Sequence, residues 1–298
     1  MNSEDLPSLR DDLEAHGLWA NKALGQHFLL DMNITRRIAR TAGELDGAHV
    51  IEVGPGPGGL TRALLEAGAH VTAIEKDARF LPLLEPLVEW SEGKLRILHA
   101  DALEVDEEKL VSTWNAGVSP ASGGEAEPAL PARTPAVQVI SNLPYNVGTP
   151  LLIKWLKAGA WRGPMTLMFQ KEVAQRIVAK PGDDAYGRLA VLTQARCHAR
   201  LEFTVPARAF TPPPKIASAI VRLVDRDDAY DDLTALERVT AAAFGQRRKM
   251  LRGSLKALTP EADALLERAG IAPTARGAAL DTKLTCPTLV TPKPSSWM

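Results

Sequence analysis

The run "HVIEV" at residues 49–53 passes directly into "GPGPGG" and then into "LTRALLEAG". A short apolar strand, a loop built of glycine, and an amphipathic stretch stopped by Gly68 make a strand–loop–helix unit with the loop at the strand's carboxyl end. Gly54, Gly56 and Gly59 satisfy the G-x-G-x-x-G spacing of nucleotide-binding loops. The rhythm then repeats. "HVTAIEKD" reads as a second strand, and "ARFLPLLEPLVEW" as a second helix interrupted by Pro82 and Pro86. "LRILHADALEVD" is a third strand with its exit loop, and "AVQVI" a fourth. "TPLLIKWLKAG", "MTLMFQ" and "KEVAQRIVAK" continue as helix, strand and helix. "LEFTVPARAFTPPPKIASAIVRLV" reads as two late strands around a proline-rich turn. Strands alternating with helices predict an α/β fold with a parallel sheet covered on both faces.

Residues outside this rhythm set the domain plan. Residues 6–16 read as a short helix, and "NKALGQHFLLDMN" as a loop whose Asp31 caps a helix through "ITRRIARTAG". Residues 115–135, rich in Pro, Gly, Ala and Ser, bury little apolar surface and read as a mobile surface insertion without a catalytic role. Beyond about residue 225 the pattern turns helical. The expected division is therefore 1–225 for the sheet domain and 226–298 for a small all-helical domain. The length of 298 residues suits two domains, and a hydrophobic content of 45% supplies a core.

Bulk properties exclude several classes. Net charge is −1, so a nucleic acid must be met by local basic patches. Cys197 and Cys286 lie far apart and in no CxxC, which argues against a disulfide scaffold or a cysteine-rich zinc site, and no metal is expected. The N-terminus is acidic rather than signal-like, and no apolar run is long enough for a membrane span. A cytoplasmic location and no membrane partner are expected, with a monomer as the expected form.

Three successive strand ends carry polar chemistry. Glu75 lies about twenty residues beyond the glycine loop, where a carboxylate accepts from ribose hydroxyls. Both NAD and S-adenosylmethionine (SAM) have such a ribose. NAD also lays a pyrophosphate on the loop and the helix N-terminus, whereas Pro55 and Pro57 remove N–H donors there. That favours a ligand needing close backbone approach but few phosphate contacts. Glu52 adds negative charge suited to the amino group and sulfonium of SAM. Asp101, in "HADAL", ends the third strand and is placed to accept from an adenine amino group, although alone it would read as a helix cap.

The fourth strand delivers "NLPYN". An adenine N6 is a poor nucleophile because its lone pair is delocalised into the ring. Asn142 has a side-chain oxygen to accept one N6–H, and the Leu143 carbonyl accepts the other. Pro144 stiffens the turn and Tyr145 offers a face for stacking. Such an arrangement works by positioning rather than by a strong base. It requires an unpaired or flipped-out base.

The order glycine loop, Glu75, Asp101, Asn142 resembles that of SAM-dependent N6-adenine methyltransferases. "NLPYN", rather than the "DPPY" of DNA enzymes, is similar to the RNA dimethyltransferases. "LGQHFLLD", "IEVGPGPGGLT", "FQKEVAQRIVAKPGDDAYGRLAVL", "AFTPPPKIASAIVRL" and "AFGQRRKMLRGSLKAL" resemble the small-subunit ribosomal RNA adenine dimethyltransferase family, from about residue 20 to residue 277. The resemblance implies a Rossmann-like SAM-dependent methyltransferase domain with a mostly parallel seven-stranded sheet, followed by a small C-terminal all-helical domain. It implies dimethylation of two adjacent adenosines near the 3′ end of small-subunit rRNA, with the rRNA and the pre-assembled small subunit as partners. It further implies cofactor contacts at His27, Leu29, Gly54, Gly56, Glu75, Asp101 and Asn142. His27 stands where many members have Asn. Phe210 is a candidate second wall for the target base, weighed against an ordinary place in the core. The insertion at 115–135 and the tail after Gly277 depart from the family pattern.

For the RNA, "QRRKMLRGSLKAL" (246–258) carries Arg247, Arg248, Lys249, Arg252 and Lys256 and no acid. If helical, it aligns Arg248, Arg252 and Lys256 in one basic stripe, with Leu251, Leu255 and Leu258 on a neighbouring face. Arg222 is a further candidate contact. Two other roles compete with this reading. One is dimethylation of large-subunit RNA, and the other is a ribosome-assembly checkpoint in which binding outweighs methylation.

Overall fold

A computed structural model describes residues 6–18, 27–115, 137–245 and 249–277. Residues 115–135 fall outside this set apart from Asn115, as do Arg247, Arg248, Cys286 and the tail after Gly277.

The first elements in chain order are α1 (Leu9–Ala15), β1 (Phe28–Leu29), α2 (Met32–Ala42), β2 (His49–Val53), α3 (Gly59–Glu66), β3 (His70–Glu75), α4 (Leu81–Trp90), β4 (Leu95–His99) and α5 (Glu107–Asn115). Next come β5 (Val137–Asn142), α6 (Gly148–Leu156), β6 (Arg162–Gln170), α7 (Lys171–Val178), α8 (Arg188–Arg196), β7 (Cys197–Val205), β8 (Phe210–Thr211) and β9 (Ser218–Asp225). Helices α9 (Leu233–Gly245), α10 (Leu251–Ser254) and α11 (Ala262–Arg268) complete the described chain.

The main sheet has seven strands in the order β4-β3-β2-β5-β6-β9-β7. Its β4, β3, β2, β5 and β6 pair in parallel, and β9 runs antiparallel to β6. The central strands are buried almost throughout, as in β2, where only His49 is partly exposed. This is why they read as apolar runs rather than as alternating patterns. Ile38 of α2, Leu64 of α3 and Leu84 and Leu87 of α4 join Val50, Val71 and Ile140 of the sheet in one core cluster. Each such side chain contributes about 1.5–3 kcal/mol on full burial. Asp31 caps α2 as expected, its carboxylate accepting from the Asn33 N–H at 2.9 Å.

The chain divides into two compact units. One comprises Met1–Lys171 with Leu201–Leu223, and the other Glu172–Arg200 with Val224–Met298. The second unit thus groups α7 and α8 with the C-terminal helices. Gln194 of α8 donates to the carbonyls of Ile177 and Ala179, and Arg188 of α8 pairs with Glu237 of α9. Val239, Ala243, Leu251, Leu255, Ala262, Leu266 and Ile271 form that unit's own apolar cluster.

Three local expectations are corrected. Helix α4 runs unbroken through both prolines. Pro82 lies in the first turn, where its missing N–H costs nothing, and Pro86 forfeits a single bond to residue 82. Part of the loop before α2 is a strand, because Phe28 and Leu29 pair antiparallel with Thr211 and Phe210. The basic segment after α9 is not one helix. Met250 is extended, α10 spans only four residues, and a 3-10 turn at Leu255–Ala257 follows. The Leu251 and Arg252 amides bond to the carbonyls of Ala275 and Pro273, so a returning chain takes the donors that a continuous helix would need. Arg252 and Lys256 thus fall in two different short helical segments, and Arg248, the third member of the expected stripe, lies outside the described residues.

No helix among the described residues is long and apolar enough to cross a membrane. Nor, among them, does any group of three or more His, Cys, Asp or Glu stand ready to hold a metal ion.

Candidate active site

Parallel pairing puts the carboxyl ends of β4, β3, β2 and β5 along one edge of the sheet, in the spatial order Asp101, Glu75, Gly54, Asn142. A cavity opens there. Its walls include His27, Leu29, Glu52, Gly54, Gly56, Glu75, Phe80, Asn142, Leu143, Pro144 and Tyr145.

The glycine loop is held in a conformation that side chains resist. Gly54 has φ +67°, and a Cβ there would lie 3.3 Å from both Cγ and Cδ of Pro144. The loop after β5 therefore packs on the loop after β2. Ser141 fastens the same junction, its hydroxyl donating to the Val53 carbonyl at 2.6 Å in a buried position. At Gly59 a Cβ would lie 2.7 Å from the Leu29 carbonyl oxygen, so β1 crosses directly over the start of α3. Leu29 is itself buried, at 5% exposure.

Two carboxylates face this cavity in different hydrogen-bonding surroundings. Glu75 takes the Gly56 N–H on Oε2 at 3.1 Å and the Asp77 N–H on Oε1 at 2.7 Å. Burial raises its pKa, and these backbone donors partly oppose the rise. Each oxygen keeps a lone pair for a further donor such as a ribose hydroxyl. Glu52 is 1% exposed and accepts the Thr61 hydroxyl on its Oε2 at 2.7 Å. Burial pushes it up to about 8, with the Thr61 bond opposing and the Glu75 charge assisting.

Asp101 is at the expected strand end but not among the cavity walls. Lys76 Nζ donates to its Oδ2 at 2.7 Å, and the Leu103 N–H to its Oδ1 at 3.0 Å. The Lys76 bond, foremost, holds its pKa below the ordinary value. Lys76 is largely exposed, so solvent screens this pair.

Asn142 is the last residue of β5, and Leu143 is buried at 2%. The Pro144 carbonyl accepts from the Val147 and Gly148 amides at 3.1 Å, so the loop turns straight into α6. Tyr145 and Ser218 share a 2.7 Å hydrogen bond between hydroxyls. Burial raises the Tyr145 pKa, keeping the phenol neutral. His27 lies 5.8 Å from the Tyr145 ring, centroid to centroid, and its Nδ1 donates to the Pro212 carbonyl at 2.8 Å. A carbonyl only accepts, so Nδ1 carries the proton.

Phe210 does not line the cavity. It is 3% exposed, pairs with Leu29, and belongs to the sheet domain's core cluster, because β8 closes down on β1. Arg222 donates to the Thr41 carbonyl at 3.0 Å, tying β9 to the end of α2. Lys249, Arg252 and Lys256 are exposed on the second unit, while Leu251 and Leu255 are buried and Leu258 is not.

A family model described as "Ribosomal RNA adenine dimethylase" matches residues 17–288. The chain belongs to the ribosomal RNA adenine dimethylase family. Within this family it is 58% identical over 279 residues to "Ribosomal RNA small subunit methyltransferase A" of Phenylobacterium zucineum, covering 93% of this chain and 89% of that one. The protein of the same name from Caulobacter vibrioides is also 58% identical, over 88% of this chain and 93% of its own length. Among solved structures, a dimethyladenosine transferase from Plasmodium falciparum shares the fold at TM-score 0.67, with 23% identity over 88% of this chain and 96% of that one. The 23S rRNA methyltransferase ErmE matches at TM-score 0.60, with 25% identity over 88% and 98%.

In this member of the dimethylase family, three hydroxyls that no motif marks bond to residues at or beside the cavity wall. Thr61, Ser141 and Ser218 act through hydroxyls whose partners lie 9, 88 and 73 positions away. No local signal marks them, since a lone Ser or Thr reads the same in a core or a turn.

Proposed function

We propose that this chain transfers methyl groups from SAM to the N6 atoms of two adjacent adenosines near the 3′ end of small-subunit ribosomal RNA, in the cytoplasm and on a pre-assembled subunit. The observation that carries this reading is the packing of Pro144 on Gly54, which joins the adenine clamp to the cofactor loop in one cavity. The relatives named for small-subunit RNA favour that substrate over large-subunit RNA, since they are 58% identical to this chain over the matched residues against 25% for ErmE.

The residues present fit SAM. Glu52 is a buried carboxyl on the cavity wall, one that a cation would help to ionise. Glu75 holds free lone pairs toward the cavity, and Pro55 and Pro57 leave the loop short of phosphate donors. When bound, SAM supplies an electrophilic methyl group on sulfur.

The protein's own part is binding and alignment. Gly54 and Gly56 let the backbone approach, and His27 and Leu29 add to the wall. Asp101, once freed from the exposed Lys76, would hold the adenine amino group of the cofactor at the β4 end. Asn142 Oδ1 and the Leu143 carbonyl would accept the two N6 hydrogens of the target and so orient its N6 lone pair for transfer. Tyr145 stacks on the base. The methylated amine is acidic enough to lose its proton to water, so no strong base is needed. Holding the reactants in line is worth up to ~7–11 kcal/mol. Lys249, Arg252 and Lys256 meet RNA phosphates.

Labelled SAM should be incubated with separate unmethylated small and large subunits, and the labelled base mapped. Label in two adjacent small-subunit adenosines is expected. Label in the large subunit alone, or none, would overturn the reading. If a Glu75 or Asn142 variant without transfer activity nevertheless supported subunit maturation, binding would be the dominant role.

A further inference from the structure

Strand β9 is antiparallel to β6, and that reversal has a geometric effect on the site. The parallel strands bring their last residues to the cavity edge. An antiparallel neighbour brings its first residue there instead. That residue is Ser218, paired with Gln170 at the end of β6. Its backbone is held further by the Lys171 N–H donating to the adjacent Ala217 carbonyl at 2.9 Å. Ser218 is fully buried, at 0% exposure. Its hydroxyl lies 2.7 Å from Tyr145 Oη.

We infer that Ser218 is a positioning residue for methyl transfer, fixing through its hydroxyl the direction in which the Tyr145 ring points and so the place where the target adenine stacks. The inference rests on the adenine-clamp reading of Asn142–Tyr145. A tyrosine ring on a loop is anchored at Cβ alone and can swing about χ1. A hydrogen bond at Oη adds a second anchor at the far end. Ser218 suits that task because a sheet residue moves less than a loop residue. The ring's other neighbour, His27, is tilted by 36° and is itself tied to the Pro212 carbonyl. The segment from Pro212 to Ser218 therefore bonds both to Tyr145 and to its ring neighbour His27. A buried phenol without this partner would be left with an unsatisfied hydroxyl, and the ring would turn to find one. Ser218 touches neither cofactor nor base in this account and acts only through Tyr145.

The test uses full-length Ser218→Ala, Tyr145→Phe and the double variant, with labelled SAM and unmethylated small subunits. Each single variant should lower kcat about tenfold, leaving the KM and Kd for SAM within about twofold, since misplacement of the base, not cofactor binding, is what changes. The double variant should be no slower than either single one, because both remove the same bond. Ser218→Thr, which keeps a hydroxyl, should recover most of the rate. With 3-fluorotyrosine incorporated, the ¹⁹F line of Tyr145, assigned by its absence in Tyr145→Phe, should be single in the wild type and broadened in Ser218→Ala. Should Ser218→Ala fail to fold, Tyr145→Phe breaks the same bond from the other end. Wild-type turnover in either single variant, or losses that multiply in the double one, would overturn the inference while the functional reading stands. A wild-type protein that methylates neither subunit would remove the functional reading and this inference with it.

Discussion

The Thr61 hydroxyl donates to Glu52 Oε2 at 2.7 Å inside the glycine-loop unit, and the carboxyl it meets is buried at 1% exposure. Glu52 holds its proton to about pH 8 in the folded chain, against an ordinary 4.5. Between those values the folded state binds more protons than the unfolded one. Stability therefore falls as pH rises through that window. Glu52→Gln should flatten the fall and raise stability near pH 8 by roughly 2–4 kcal/mol in urea titrations. A wild-type curve flat from about pH 5 to about pH 8 would contradict a buried, protonated Glu52. Affinity for SAM should strengthen over the same rise in pH in the wild type and not in Glu52→Gln, because the ionised carboxylate favours a cation.

Gly54→Ala should uncouple the two loops. Its φ of +67° strains any side chain, by about 1–2 kcal/mol. The new methyl would also press on Pro144, 3.3 Å away. Methyl transfer should fall at least about tenfold, well beyond the effect on thermal stability. Equal losses in rate and stability would point to a folding role alone.

Asn142→Ala should abolish most methyl transfer and leave SAM affinity within a modest factor, measured by calorimetry beside single-turnover rates. Asn142 ends β5 on the cavity wall, next to the Leu143–Tyr145 loop. Turnover close to wild type would remove Asn142 from the clamp.

Replacing Lys249, Arg252 and Lys256 together by Glu should weaken binding to the small subunit. The plot of log affinity against log salt should become shallower by about one unit per lost phosphate contact. All three are exposed, and none lines the cavity, so SAM affinity should hold. Unchanged subunit binding at moderate salt would direct attention elsewhere on the surface.

The sequence by itself determined the alternation of strands and helices and the chemistry at the strand ends. Apolar runs, turn glycines and caps act over a few residues. Gly54, Glu75, Asp101 and Asn142 could therefore be placed on successive strand ends from local pattern alone, and parallel pairing then lines them along one edge. Only the tertiary structure decided the rest. Phe210 reads equally as wall or core until β8 pairs with β1, nearly two hundred residues earlier in the chain. The basic segment reads as a helix until the Ala275 and Pro273 carbonyls take its amides. The protonation of Glu52 depends on how much chain covers it, and the Ser218–Tyr145 bond on an antiparallel strand entering a parallel sheet. Each of these is a property of residues distant in sequence and adjacent in space. Burial and strand register arise only when the chain has closed on itself, so no window of neighbouring residues carries them.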